Sequence, residues 1–170
     1  MENEKMSFST ESYPLDSCTL FPLSEITAGE ISSVLAGMVP WRTLGYSSEG
    51  LYRYFTRNDP ALLRYALVVS GGTAGMLCAR YPWLLGPYVE LLVIFEGYQG
   101  KGLGREVIEW LERRFAGEAR NFWATVSSFN EKARSFYQRL GFKEVAVLSN
   151  LVTSGFDEIL LHKKLLGEEA

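Results

Sequence analysis

Hydrophobic residues follow two spacings along the chain, and together they predict alternating strands and helices. Leu103, Val107 and Leu111 recur every four residues, which is the spacing of one helix face. Residues 88–95 are instead an almost continuous apolar run, interrupted by Glu90, as in a strand that is covered on both faces. Over the whole chain the pattern gives the order β, α, α, β, β, β, α, β, α, β, β. This order predicts an α/β (α+β) fold, a mixed sheet with helices on its faces.

Length and composition narrow the classes of protein to consider. At 170 residues and 19.1 kDa the chain is expected to form one domain over residues 17–166, after a loose lead-in over residues 1–16. The formal net charge of −3 argues against a nucleic-acid partner and against a polybasic membrane contact, which both require a basic surface. One histidine, His162, and two isolated cysteines predict no metal site. The charged start and the absence of a long apolar run favour a cytoplasmic location.

Glycines at positions 100, 102 and 104 lie between the apolar strand and the following helix. Glycine lets a ligand approach the backbone closely, and the amides at a helix N-terminus favour an anion. A pyrophosphate fits this pattern, with Gln99 and Lys101 as further donors. The spacing matches neither a phosphate loop, which needs a hydroxyl residue after the lysine, nor a dinucleotide fingerprint, whose third glycine would fall at Arg105. A flexible turn is the simpler alternative, but a turn needs fewer glycines.

Two segments carry a resemblance to a known family. Residues 99–104 (QGKGLG) match the (Gln/Arg)-x-x-Gly-x-(Gly/Ala) acetyl-CoA motif of the GNAT N-acetyltransferase superfamily, and residues 91–95 resemble its fourth strand. Residues 130–142 resemble its second motif, Asn-x-x-Ala-x-x-Phe-Tyr-x-x-x-Gly-Phe. The resemblance implies a mostly antiparallel mixed sheet of six to seven strands, splayed between the fourth and fifth, with about four flanking helices.

The same resemblance implies acetyl-CoA as the acyl donor. The pantetheine arm would pair with the backbone of the fourth strand, and the glycine amides would hold the pyrophosphate. The residues assigned to the cofactor in this way are Val93, Ile94, Phe95, Gln99, Gly100, Lys101, Gly102, Leu103, Gly104, Asn130, Ala133 and Tyr137.

Acetyl transfer to an amine needs a base for the amine, a donor for the thioester oxygen and a proton for the leaving sulfur. A backbone amide of the splayed strand near Ile94 or Phe95 is the expected donor for the thioester oxygen. Tyr137 occupies the tyrosine position of the family and is the expected acid, although an ordinary core aromatic would show the same spacing. Glu90 is the expected base, because a carboxylate withdrawn from water accepts a proton readily. A strand-end carboxylate bonded to a neighbour is the equal alternative for Glu90. Tyr88 with a water relay also stays open as the base.

The acceptor side is less defined by the sequence. Trp41, Arg42, Tyr46, Trp83 and Tyr88 are the residues expected to line it, with aromatic rings that can contact a cationic amine. Core packing is the alternative for such aromatics. Arg42 would suit an acceptor that bears a carboxylate. Asp157 and Glu158 in the last hairpin could attract a cationic acceptor, but a solvated turn is the simpler explanation for them.

The leading hypothesis is therefore an N-acetyltransferase that acts on a primary amine of a small molecule or peptide. The reaction would be a direct attack within a ternary complex. A non-catalytic acyl-CoA sensor, a module for another anionic nucleotide, O-acyl transfer and a longer acyl group stay open. By analogy of fold, residues 142–165 are where a homodimer contact would form.

Overall fold

The structure, a computed structural model, describes residues 11–165. Residues 1–10 of the expected lead-in and position 166 of the expected domain lie outside this range. In chain order the elements are β1 (Tyr13–Pro14), β2 (Thr19–Pro22), α1 (Glu25–Ala36), α2 (Ser48–Thr56), β3 (Leu62–Val69), β4 (Gly72–Trp83), β5 (Gly86–Ile94), α3 (Leu103–Phe115), β6 (Asn121–Ser127), α4 (Glu131–Arg139), β7 (Lys143–Ser149) and β8 (Asp157–Lys164).

The strands form one eight-stranded sheet in the order β1-β2-β3-β4-β5-β6-β8-β7. Only β5 and β6 are parallel neighbours, so the mostly antiparallel mixed sheet is confirmed. The count exceeds the expected six to seven because Tyr13–Pro14, inside the expected lead-in, pairs with β2. A two-residue strand is too short to show a hydrophobic alternation, and proline is tolerated there because the strand lies at the sheet edge.

The sheet separates two apolar layers. On one face α3 and α4 cover a cluster that includes Val107, Leu111 and Phe122, which are fully buried. On the other face α1 and α2 cover a cluster that includes Ile31 and Phe55. The sheet is therefore buried on both faces near its centre, which is why the β5 sequence is so apolar.

Helix α3 begins differently from the other three helices in the described range. The side chains of Ser24, Ser47 and Asn130 accept backbone N–H groups at the starts of α1, α2 and α4. The residue before α3 is Gly102, which supplies no side-chain cap. Amides in the first turn of a helix have no acceptor within the helix, so those of α3 stay available to another group.

The β4–β5 hairpin differs from the expected arrangement, whereas the last two strands, β7 and β8, were expected close to where they occur. The prolines at positions 82 and 87 predict a loop over residues 82–87, but β4 extends to Trp83 and β5 begins at Gly86, with Leu84 and Leu85 between them. Strand β7 lies at the sheet edge and is mostly exposed, including Val145 and Val147. A homodimer contact in this region stays a prediction.

Candidate active site

A gap opens in the sheet between β5 and β6. The two strands are paired only at Tyr88 with Trp123 and at Val89 with Ala124. Strand β5 then continues to Ile94 without a partner on that side. The splay expected between the fourth and fifth strands of the family is confirmed. The numbering differs by one, because the edge strand β1 comes in addition, so β5 and β6 here correspond to the family's fourth and fifth strands.

The backbone of β5 presents polar groups to this gap at two positions. The N–H of Phe95 donates to the carbonyl of Ala74, 2.8 Å away, which directs it towards β4. The carbonyl of Ile94 faces the other way and accepts a 2.8 Å hydrogen bond from the Gln99 side chain. Because successive residues of a strand point their backbone groups to opposite edges, Leu92 shares the direction of Ile94.

This alternation determines which residues of β5 can offer backbone groups to the gap. Of the expected residues Val93, Ile94 and Phe95, only Ile94 directs its backbone to the gap, while Val93 and Phe95 bond within the sheet. Leu92, which was not among the expected residues, shares the direction of Ile94 and lines the groove. The period of two along the strand was the signal that could have selected it.

The glycine loop forms an open cradle at the start of α3. Gly100 and Gly102 have φ values of +74° and +84°, where a side chain is strained. A Cβ atom built on either residue would meet no protein atom within 4 Å, so the space above both is free. Gly104 differs, because a Cβ there would lie 3.1 Å from the Phe136 ring. It therefore serves the packing of α3 against α4.

Side chains around the cradle carry positive charge. A groove of about 460 Å³ runs over the glycine loop and includes Arg105, Lys132 and Arg139 in its walls. The Lys132 ammonium group donates to the Gln99 side chain at 2.8 Å, so Gln99 links α4 to the end of β5. Lys101, expected as a phosphate donor, instead points its ammonium group to the Tyr98 ring, 5.9 Å from the ring centre.

Helix α4 forms the opposite wall of the gap. Asn130 caps this helix, with its side-chain oxygen accepting the N–H of Ala133 at 3.2 Å. Both residues also line the groove. Tyr137 follows on the same face and is 6% exposed, with edge contacts to the rings of Phe136 and Phe142.

The hydroxyl of Tyr137 makes no hydrogen bond to any residue that the structure describes. Burial raises the pKa of this phenol, and the nearby Tyr88 adds to the effect. The group therefore stays protonated at neutral pH and can donate a hydrogen bond to a ligand.

A second cavity of about 310 Å³ adjoins the groove on the side of α1 and α2. Trp41, Leu92 and Tyr137 are among the residues that border both spaces. The expected acceptor residues Trp41, Tyr46 and Tyr88 line this second cavity, which is called the acceptor cavity below.

The other two expected acceptor residues lie elsewhere. Arg42 is exposed and borders neither space, so the acceptor carboxylate inferred from it has no support. Trp83 stacks on Tyr88 with ring centres 4.4 Å apart and supports that ring from outside the cavity. It does so because β4 extends further than the sequence predicted, placing Trp83 beside β5.

A comparison with models of protein families assigns this chain to a family. A family model described as the Acetyltransferase (GNAT) family matches residues 32–142, well over half of the chain. The chain belongs to the GNAT acetyltransferase family. A comparison with curated protein sequences gives no significant match.

Solved GNAT structures extend the similarity over nearly the whole chain. An acetyltransferase from Thermus thermophilus is 24% identical with a TM-score of 0.71, covering 90% of this chain and 100% of that one. Arabidopsis thaliana NAA60, solved with a bisubstrate analogue, is 18% identical with a TM-score of 0.68, covering 89% of this chain and 100% of that one. An aminoglycoside 6′-N-acetyltransferase, solved with coenzyme A, is 16% identical with a TM-score of 0.65, covering 86% of this chain and 95% of that one. Because all three identities are below 25%, these structures show that the fold is shared, and no more.

GNAT acetyltransferases use acetyl-CoA, and the residues present here fit it. Free amides at the start of α3, open space above Gly100 and Gly102, and three cationic side chains suit a pyrophosphate. The unpaired edge of β5 suits an amide-containing arm that adds to the sheet. No helix in the described range is long and apolar enough to cross a membrane. No group of three potential metal ligands occurs in that range either.

Glu90 is held in an ion pair on the floor of the acceptor cavity. The pairing register of β4 and β5 shifts at this point, because Cys78 pairs with Leu91 and Ala79 with Val89. Glu90 is the extra residue of this bulge, and its carboxylate accepts from the hydroxyl of Tyr54 and from Arg80.

This pairing argues against Glu90 as the base. Both of its oxygens are engaged, and Arg80 compensates its charge. Arg80 also binds Asp59 at 3.0 Å, and this hydrogen bond is the main cause of the lowered pKa of Asp59. Of the two alternatives left open by the sequence, the carboxylate bonded to neighbours is the one observed.

Glu158 is a buried carboxylate where the sequence favoured a solvated one. It lies in β8 rather than in a turn, is 6% exposed and borders the acceptor cavity. The Ser127 hydroxyl donates to its Oε1 at 2.7 Å. Burial raises the pKa of this carboxyl group. The apolar residues Ile159 and Leu161 belong to the core cluster beneath α3 and α4, and this apolar stretch of β8 was the signal in the sequence.

Proposed function

We propose that this GNAT acetyltransferase transfers the acetyl group of acetyl-CoA to a primary amine by direct attack within a ternary complex. The observation that carries the proposal is the position of Tyr137. Its unpaired phenol borders both the groove that fits the donor and the separate cavity on the other side. A donor thioester and an acceptor amine would meet at such a junction.

The donor groove supplies binding and orientation. The amides at the start of α3 bind the pyrophosphate, and Arg105, Lys132 and Arg139 add positive charge. The backbone groups of Leu92 and Ile94 bind the pantetheine arm along the free edge of β5. The bound donor supplies the activated acetyl group.

Two donors of the chain assist the transfer itself. By the alternation along β5 the N–H of Leu92 faces the gap that Tyr137 also borders, and in this proposal it binds the thioester oxygen as negative charge develops there. The hydroxyl of Tyr137 donates to the leaving sulfur, and its raised pKa keeps the proton in place until that charge appears. No covalent intermediate on the protein is needed.

The alternative of a non-catalytic acyl-CoA sensor is less well supported. A sensor needs only the donor groove, whereas this chain also has a second cavity with a buried carboxylate at its wall. The two functions differ after the donor has bound, because only an enzyme passes the acetyl group to an amine.

Calorimetric titration with acetyl-CoA, with ATP and NAD as controls, tests the donor groove. Release of free thiol in the presence of primary amines then separates enzyme from sensor. Binding of acetyl-CoA alone, followed by amine-dependent thiol release, is the expected result. Equal binding of ATP or NAD would contradict the donor assignment.

A further inference from the structure

The two carboxylates of the acceptor cavity differ in how their charge is balanced. Glu90 is ion-paired with Arg80. Glu158 has one hydrogen bond, from Ser127, and no cation among the described residues lies within ion-pair distance of it. A buried carboxylate without a cation is costly, so a site that retains one has a use for a positive ligand.

The walls of the cavity contain no basic residue to compete for this charge. None of the described residues that border it is Lys, Arg or His. Besides Glu158, the titratable side chains that border the cavity are those of Tyr46, Tyr54, Tyr88, Glu90 and Tyr137. Among them, Tyr46 and Tyr88 are close enough for the charge of Glu158 to act on their hydroxyl groups. None of these tyrosines brings a positive charge. The net charge of the cavity walls is therefore negative.

The cavity is small and largely apolar. Its volume of about 310 Å³ lies at the lower end of the range of about 300–1,000 Å³ for ligand pockets. Trp41, Leu151 and Val152 contribute apolar surface. The hydroxyl of Thr153 donates to the carbonyl of Leu44 at 2.7 Å and ties the β7–β8 hairpin to the segment after α1. Leu44 also borders the cavity, so this contact holds part of the cavity wall in place.

We propose that Glu158 binds the ammonium group of a compact monoamine that carries no carboxylate, and that it accepts a proton from this group. The inference rests on the proposed function and names its acceptor class. A single cation matches the single unbalanced carboxylate, and an apolar body matches the walls. An amino acid is disfavoured because its carboxylate would find no cation in the cavity.

The proton balance assigns one role to each side chain. An ammonium acceptor loses two protons when its nitrogen forms the bond to the thioester carbonyl carbon and the carbon–sulfur bond breaks. Glu158 takes the first proton and passes it to solvent. Tyr137 gives its own proton to the sulfur, which leaves as a thiol. The second proton from nitrogen restores the phenol of Tyr137, directly or through water.

The test compares matched probes and matched variants. The probes are phenethylamine, n-butylamine, phenylalanine and 2-phenylethanol, added to protein saturated with acetyl-CoA or, for calorimetry, with CoA. The variants are Glu158→Gln, which keeps the size of the side chain and the hydrogen bond from Ser127, and Glu118→Gln, which removes an exposed carboxylate elsewhere.

The monoamines should bind and release thiol, with kcat/KM at least about 100-fold above that of phenylalanine. Glu158→Gln should lower kcat/KM for the monoamines about 100-fold and leave CoA affinity unchanged, while Glu118→Gln matches the wild type. The wild-type rate should fall as pH drops through the raised pKa of Glu158, and the Gln variant should lose this dependence. Ser127→Ala should shift the fall in rate to higher pH, because the hydrogen bond from Ser127 lowers the pKa of Glu158 and the variant lacks it.

Three results would overturn the proposal: wild-type rates for Glu158→Gln, rates for phenylalanine equal to those for phenethylamine, or no monoamine turnover while acetyl-CoA binds. The last result would leave the donor groove intact and remove only the acceptor class. Failure of acetyl-CoA to bind at all would instead overturn the proposed function and this inference with it.

Discussion

Substitution of Gly102 separates ligand binding from backbone strain. Gly102 has φ +84°, and a Cβ atom built on it meets no protein atom within 4 Å. Gly102→Ala therefore introduces no clash within the protein, and its cost to folding is the left-handed conformation, about 1–2 kcal/mol. For a chain of this length that corresponds to a Tm lower by about 2–8 °C.

The matched control is Gly97→Ala. Gly97 has φ +88° and also meets nothing within 4 Å, but it does not border the donor groove. The two variants should lose similar stability in thermal unfolding, since the strain is the same in kind and size. Only the methyl group at 102 should interfere with the approach of a pyrophosphate to the α3 amides.

The expected difference lies in acetyl-CoA affinity. A hydrogen bond to a charged group contributes about 1.5–3 kcal/mol, so the loss of one such bond weakens binding about 10- to 100-fold. Calorimetric titration should show this loss for Gly102→Ala and less than about a twofold change for Gly97→Ala. Equal affinities in the two variants would refute the assignment of the α3 amides to the pyrophosphate.

Three other variants test the remaining site residues. Tyr137→Phe keeps the ring contacts and should lower kcat about 100-fold at unchanged acetyl-CoA affinity; an unchanged kcat in a thiol-release assay would exclude the phenol as proton donor. Arg80→Met leaves Asp59 and Glu90 without their shared cation and should lower the urea unfolding free energy by about 3 kcal/mol; a negligible loss would contradict the ion-pair account. Glu158→Gln should stabilise the free protein at neutral pH. The raised pKa means that the folded state holds the proton of Glu158 more tightly, so wild-type stability falls as pH rises through that pKa. The Tm difference between variant and wild type should therefore grow as pH rises from the ordinary carboxyl pKa through the raised pKa of Glu158, and a constant difference would argue against a buried charged Glu158.

Local features of the site were predictable from the sequence because they depend on neighbouring residues. The glycine cradle requires only a strand, glycines at the loop and a helix N-terminus in succession. Tyr137 follows from the apolar spacing of α4 and the family motif. Leu92 was missed, because the alternation along β5 leaves two possible sets of residues and the register with β4 decides between them.

Features that depend on strand register and long-range packing were not predictable in the same way. The ion pair of Glu90 with Arg80 requires the bulge that makes Glu90 the extra residue between β4 and β5. The burial of Glu158 requires β8 to lie between β6 and β7 and to direct this side chain to the cavity. Trp83 was expected to line the acceptor site, but it stacks on Tyr88 from outside the cavity. It does so because β4 extends to Trp83, through the proline at position 82 that had predicted a loop.

The most direct test of the central claim is product analysis. Purified protein, acetyl-CoA and phenethylamine would be incubated together, and both the N-acetylated amine by mass spectrometry and the free thiol would be quantified against Tyr137→Phe. We expect equal amounts of the two products from the wild type and a much lower rate from the variant. Binding of acetyl-CoA without either product, for phenethylamine and for a broader set of amines, would contradict an acetyltransferase and favour a sensor.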